Sequence, residues 1–90
     1  MELRQIKYFC MVGKLKSFTR AAEQLHIAQP SITQAIHKLE EELTTQLFDR
    51  SKKKITLTPE GQIFLARMEK LLLDFDQAIE ELKDFRKKKK

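Results

Sequence analysis

The stretch that most limits what this chain can become is Ser17 to Leu43, SFTRAAEQLHIAQPSITQAIHKLEEEL. Phe18, Ala21, Ala22 and Leu25 recur at helical spacing, and after a break at His26-Ile27-Ala28 so do Ile32, Ile36, Leu39 and Leu43. Ser17 stands where a side-chain oxygen caps the free N–H groups of a first turn. Pro30 falls in the first turn of the second period, the helical position that proline tolerates best. The pattern predicts two helices joined by a tight turn.

The outward side of the second helix carries Gln29, Ser31, Thr33, Gln34, His37 and Lys38, with no carboxylate before Glu40. Compact donors and acceptors of this kind suit the base edges of a DNA major groove, and none of them repels phosphate. The arrangement is that of a helix-turn-helix. A helical hairpin with a solvated polar face has the same spacing, because this turn geometry occurs in many unrelated domains.

A chain of 90 residues makes one small domain, and 41% hydrophobic with 34% charged residues suits a soluble helical one. No apolar run is long enough for a bilayer span and no secretory signal follows Met1, so no membrane contact is expected; the lack of a disulfide partner for Cys10 makes a reducing cytoplasm the expected setting. The lone Cys10 has no partner for an internal disulfide and reads as a small buried hydrophobe. The net charge of +5 is uninformative, because Arg86 to Lys90 holds five of the 18 basic residues and leaves 13 basic against 13 acidic elsewhere. That tail reads as an added end or the start of a linker.

Ahead of the two-helix unit, Met1 to Lys16 reads as a helix apolar on two sides. One side carries Leu3, Ile6, Phe9, Cys10 and Gly13, the other Tyr8, Met11, Val12 and Leu15. Such a helix needs two covers, one from the helix-turn-helix and one from elsewhere in this chain or a second chain. Gly13 marks a candidate close approach. Beyond Leu43, Ile55 and Leu57 alternate with Thr56 and Thr58 as a half-buried strand does, with Leu47 and Phe48 opening the opposing strand. The connection carries Arg50, Lys52, Lys53 and Lys54. A cationic ribbon directly after a helix-turn-helix reads as a wing that touches phosphate or enters a minor groove; a solvated loop is the plainer reading.

Thr58-Pro59-Glu60 combines an N-cap, a first-turn proline and an acid at the positive end of the helix dipole. A helix from Pro59 to about Arg86 follows. Phe64, Met68, Leu71, Phe75, Ala78, Leu82 and Phe85 alternate in steps of four and three, a heptad seam that Leu65, Leu72 and Ile79 widen. A body this small cannot cover so long a helix, so its far half calls for a second copy. Residues 1–58 then form a mainly α winged helix-turn-helix of three helices plus a two-stranded wing, and 59–90 a dimerisation helix with a basic tail. A protein-interaction module on the same scaffold, without DNA, competes with this reading. An enzyme has least support. His26, a turn residue, and His37 make no metal pair, there is no Cys/His cluster, phosphate loop or nucleophile constellation, and Glu40, Glu41 and Glu42 read as solvated charges or a wing-side pairing. No cofactor, metal or catalytic residue is expected.

The chain resembles the N-terminal DNA-binding region of the LysR-type transcriptional regulators. The matching residues are Leu3-Arg4-Gln5-Ile6-Lys7-Tyr8-Phe9, Ser17-Phe18-Thr19-Arg20-Ala21-Ala22-Glu23-Gln24-Leu25, Gln29-Pro30-Ser31-Ile32-Thr33, Ile36, Leu39-Glu40, Leu47-Phe48-Asp49-Arg50 and Leu57-Thr58-Pro59-Glu60-Gly61. The resemblance implies a dimer binding double-stranded promoter DNA, with linker helices paired antiparallel and each packed against the partner's first helix. It implies that Gln29, Pro30, Ser31, Thr33 and Gln34 face bases or backbone, and that Arg50 and Lys52 to Lys54 make wing contacts. It also implies that a small-molecule inducer acts through a C-terminal domain outside these residues. Two positions depart from the family. Ala28 replaces the usual Ser or Thr cap, so Ser31 or a bound phosphate is expected to meet the free N–H groups. Thr44 replaces the usual Gly, and because a β-branched residue avoids positive φ, the reading helix is expected to end differently or fray there.

Overall fold

The computed structural model describes residues 1–88. Its elements run α1 (Leu3–Leu15), α2 (Phe18–Leu25), α3 (Gln29–Leu43), β1 (Phe48–Asp49), β2 (Thr56–Leu57) and α4 (Pro59–Lys88). The helix starts form where their residues predict. The Ser17 hydroxyl accepts the Arg20 N–H at 3.1 Å. The Thr58 hydroxyl accepts the Gly61 N–H at 2.9 Å and donates to the Gln46 carbonyl at 2.7 Å, so one side chain caps α4 and anchors it to the wing base. The basic tail is helical through Lys88; Lys89 and Lys90 lie outside the described residues.

The core is α1 wrapped by the other helices. Ile6, Phe9, Cys10 and Val12 meet Ala21 and Ala22 of α2, Ile32, Ile36 and Leu39 of α3, and Leu47 and Phe48 of the wing base. Phe9 lies against Phe48 and Phe64 at centroid distances of 5.5 and 5.4 Å, and Phe48 against Phe18 at 5.7 Å, so one aromatic cluster joins α1, α2 and α4 to the wing. The second cover of α1 is α4 of the same chain. A Cβ on Gly13 would stand 3.0 Å from Leu65 Cδ2, so the glycine does mark a close helix approach. Gly61 matters more: a Cβ there would fall 2.1 Å from the Leu47 carbonyl oxygen, so only glycine lets α4 start this close to the wing.

The wing is shorter than the alternation of Ile55 to Thr58 suggests. Only Phe48 with Leu57 and Asp49 with Thr56 pair, antiparallel, leaving Leu47 buried ahead of β1 and residues 50–55 as a loop. The end of α3 corrects a sequence expectation. Thr44 does adopt the left-handed conformation, φ 50° and ψ 39°, and the helix closes on it without a glycine. Its N–H reaches the Glu41 carbonyl at 3.1 Å, the Thr45 N–H reaches that of Glu40 at 3.0 Å, and the Thr44 hydroxyl donates to Leu43 O at 2.7 Å. These bonds satisfy the last carbonyls in the manner of a Schellman cap and offset part of the steric cost of the β-branch.

Candidate nucleic-acid interface

The turn between α2 and α3 is set by His26, which takes the left-handed conformation at φ 56° and returns its N–H to the end of α2. The Ile27 N–H closes on the Ala22 carbonyl at 3.1 Å. Two helices joined by so few residues must diverge, and α3 buries Ile32, Ile36 and Leu39 while its other side faces out. Gln29, Pro30, Ser31, Gln34, His37 and Lys38 are exposed there, and Thr33 is half-buried. Gln29, Pro30, Thr33 and Gln34 line one shallow depression. Ala28 provides no side-chain cap, and the Ser31 side chain does not replace it; the Ser31 N–H turns back to the Ala28 carbonyl at 3.0 Å. The positive end of α3 therefore stays open to an anion.

Gln29, at the start of α3, is held by two internal bonds. The Thr19 hydroxyl of α2 donates to Gln29 Oε1 at 3.0 Å, and the Thr33 hydroxyl donates to the Gln29 carbonyl at 3.2 Å. With its oxygen engaged, Gln29 offers its amide nitrogen outward as a donor.

Glu40 departs most from the view of three solvated glutamates. It is only 4% exposed, while Glu41 and Glu42 face solvent. One carboxylate oxygen accepts the Leu47 and Phe48 N–H groups at 2.7 and 3.2 Å; the other meets both terminal nitrogens of Arg50 at 3.3 Å. Of the two readings, solvated charge or wing-side pairing, Glu40 takes the second. A signal for this lay in the sequence, because Ile32, Ile36 and Glu40 fall four residues apart on one ridge. Gln5 was missed likewise. It is 5% exposed, accepts the Glu2 N–H at 2.7 Å and donates to the Ala35 carbonyl of α3 at 3.4 Å.

The wing brings Lys52, Lys53 and Lys54 together at an exposed tip. Asp49 shapes the approach: its carboxylate accepts the Ser51 N–H at 2.9 Å and the Ser51 hydroxyl at 2.6 Å. Those bonds hold its carboxyl below the usual range, so it stays ionised within the turn. Arg50 stands apart from the lysines. Its guanidinium is tied to Glu40 and lies 5.5 Å from the Phe18 ring centroid.

The predicted seam of α4 divides. Phe64 and Met68 pack, with Leu65 and Leu72, against the body's own core. Leu71, Phe75, Ala78 and Leu82 are exposed, Leu82 by 61%. Phase alone does not reveal the split, because a heptad looks the same whether it meets the body or another helix.

Three helices, a short antiparallel ribbon and an outward α3 define a winged helix-turn-helix with an appended long helix. Residues 3–62 match the family model described as "Bacterial regulatory helix-turn-helix protein, lysR family". The chain belongs to that family. Among relatives, the transcriptional regulator BsdA of Bacillus subtilis is 41% identical over 87 residues, covering 96% of this chain and 30% of that protein. BenM of Acinetobacter baylyi is 46% identical over 79 residues, covering 88% of this chain and 26% of BenM. The chain thus spans less than a third of the length of these relatives. A crystal structure of the BenM DNA-binding domain with catB site 1 DNA superposes with a TM-score of 0.93 at 43% identity, covering 96% of this chain and 97% of that one.

Proposed function

We infer that this chain is the sequence-specific, double-stranded-DNA-binding part of a dimeric bacterial transcriptional regulator. The observation that carries the reading is the exposed start of α3. It offers neutral donors and acceptors, its first glutamate is turned inward to the wing base, and Gln29 is already oriented by Thr19. A similar chain, the BenM domain, has been crystallised with DNA, which supports the same assignment here.

In this reading Gln29, Ser31, Thr33 and Gln34 address base edges. Pro30 keeps the first turn close to the duplex, and His37 and Lys38 meet backbone further along. Lys52, Lys53 and Lys54 hold phosphates or the adjoining minor groove. Arg50 serves the wing from within. The exposed Leu71, Phe75, Ala78 and Leu82 join two copies, and Phe64 and Met68 stiffen the base of that helix. A two-fold dimer places two reading helices on paired half-sites. The working location is the bacterial cytoplasm, no helix among the described residues being long and apolar enough to cross a membrane. A small-molecule inducer acts through a domain outside these residues. The interaction module without DNA is not favoured, because it gives the open cationic tip and the carboxylate-free exposed start of α3 no task.

Selection from a pool of random duplexes tests the proposal. Enrichment of a two-part motif related by inversion is expected. Recovery of no motif, beside tight binding to another protein, would favour the interaction module.

A further inference from the structure

We propose that Glu40 and Arg50 form an internal latch that sets the angle of the wing relative to the reading helix, making Glu40 a positioning residue for DNA binding. This rests on the reading of the wing as a DNA contact.

Three observations converge. Glu40 belongs to α3, yet every bond its carboxylate makes leads to the wing: the backbone N–H groups of Leu47 and Phe48 and the guanidinium of Arg50. A buried carboxylate left without such partners is costly, so the wing base cannot leave this position cheaply. Arg50 also lies over the Phe18 ring, so the same guanidinium ties α2 to α3 through the wing. The β-pairing itself is too short to hold a direction, since the ribbon consists of two residue pairs. Orientation must come from its root, where Thr58 bonds the Gln46 and Leu47 carbonyls from the α4 side and Glu40 takes the Leu47 and Phe48 N–H groups from the α3 side, so that Glu40 is the link between the wing and the reading helix. The three lysines beyond it are exposed. They gain affinity for a duplex only if held at the correct distance from the base-reading end of α3. Arg50 thereby leaves the set of free phosphate ligands and contributes by holding Glu40.

Glu40→Gln separates the latch from the fold. A glutamine oxygen still accepts from Leu47 and Phe48, but its amide turns donors toward Arg50. Amide hydrogen exchange and nitrogen relaxation without DNA form the first arm. Residues 47–57 are expected to gain mobility, with Leu47 and Phe48 losing roughly tenfold in protection, while α1 to α3 keep theirs. Unchanged wing dynamics would overturn the latch. Salt-dependent DNA titration forms the second arm. Lys53→Ala is expected to lower the log–log salt slope by about 0.9 in the parent protein. The same change made on top of Glu40→Gln is expected to lower it by less than half as much. An equal drop in both backgrounds would overturn the latch. No drop in the parent would instead reject the wing as a DNA contact, and the exchange arm would then decide the latch alone. Arg50→Lys, whose ammonium can still reach Glu40, is expected to restore part of the protection that Arg50→Met removes; equal protection in the two contradicts the proposal.

Discussion

The two halves of α4 share one helix and one apolar rhythm, yet they meet different surroundings. In the first half, Gly61 is wedged against the Leu47 carbonyl, and Phe64, Leu65, Met68 and Leu72 complete the core. In the second half, Phe75, Ile79, Leu82 and Phe85 are exposed by 42, 41, 61 and 59%. Lys7 lies over the Phe75 ring, its Nζ 5.9 Å from the centroid. An apolar seam states that a face will be covered. The length of the body against which it lies decides where that cover stops being its own.

Breaking the first half should cost the fold. Gly61→Val forces a side chain into the Leu47 carbonyl, and a loss on the order of 3 kcal/mol is expected. Urea unfolding would read it as a lower midpoint with α4 detached; an unchanged midpoint would show that the approach is not tight. Breaking the second half should spare the fold and cost the assembly. Leu82→Ser removes an apolar side chain worth about 2 kcal/mol when buried. Sedimentation should show a weaker dimer with the far-ultraviolet spectrum intact. If the dimer is unaffected, the pairing runs elsewhere.

A smaller effect probes the end of α3. Thr44→Gly relieves a β-branched residue held at φ 50° and should raise stability by about 1 kcal/mol. A loss would mean that the Thr44 hydroxyl bond to Leu43 outweighs the steric cost. The smallest concerns Cys10, a buried residue of α1 near Glu69 of α4. Burial, helped by Glu69 and opposed by Lys14, pushes its thiol up to about 11 from 9.0. The folded state therefore favours the neutral thiol. Its contribution to stability is complete below pH 9 and is lost as pH rises toward 11. Alkylation at pH 8 should be slow in the native protein and fast in urea; rapid native alkylation would show that the α1–α4 contact opens easily.

Helix starts and buried faces were legible because they are local. Ser17, Pro30 and Thr58-Pro59 mark first turns by their own chemistry, and the Ile32-Ile36-Leu39 spacing names its inward side. The cationic wing tip was equally plain in Lys52 to Lys54. Features depending on distant partners were not. Glu40 falls on the Ile32-Ile36 ridge, which marks its inward side, but its partners exist only once the wing base supplies donors for it. Arg50 looks like another wing cation until Glu40 and Phe18 claim it. Thr44 seemed unfit for a left-handed position because its compensating bonds arise only once the chain has turned.

The central claim is that the exposed start of α3 reads sequence. It is tested most directly by fluorescence anisotropy of the parent protein and Gln29→Ala on a selected duplex and a scrambled one at fixed salt. The parent should prefer the selected duplex, and Gln29→Ala should give up about 1–3 kcal/mol of that preference while binding the scrambled duplex as before. Full discrimination by Gln29→Ala, or none by the parent, would contradict the account.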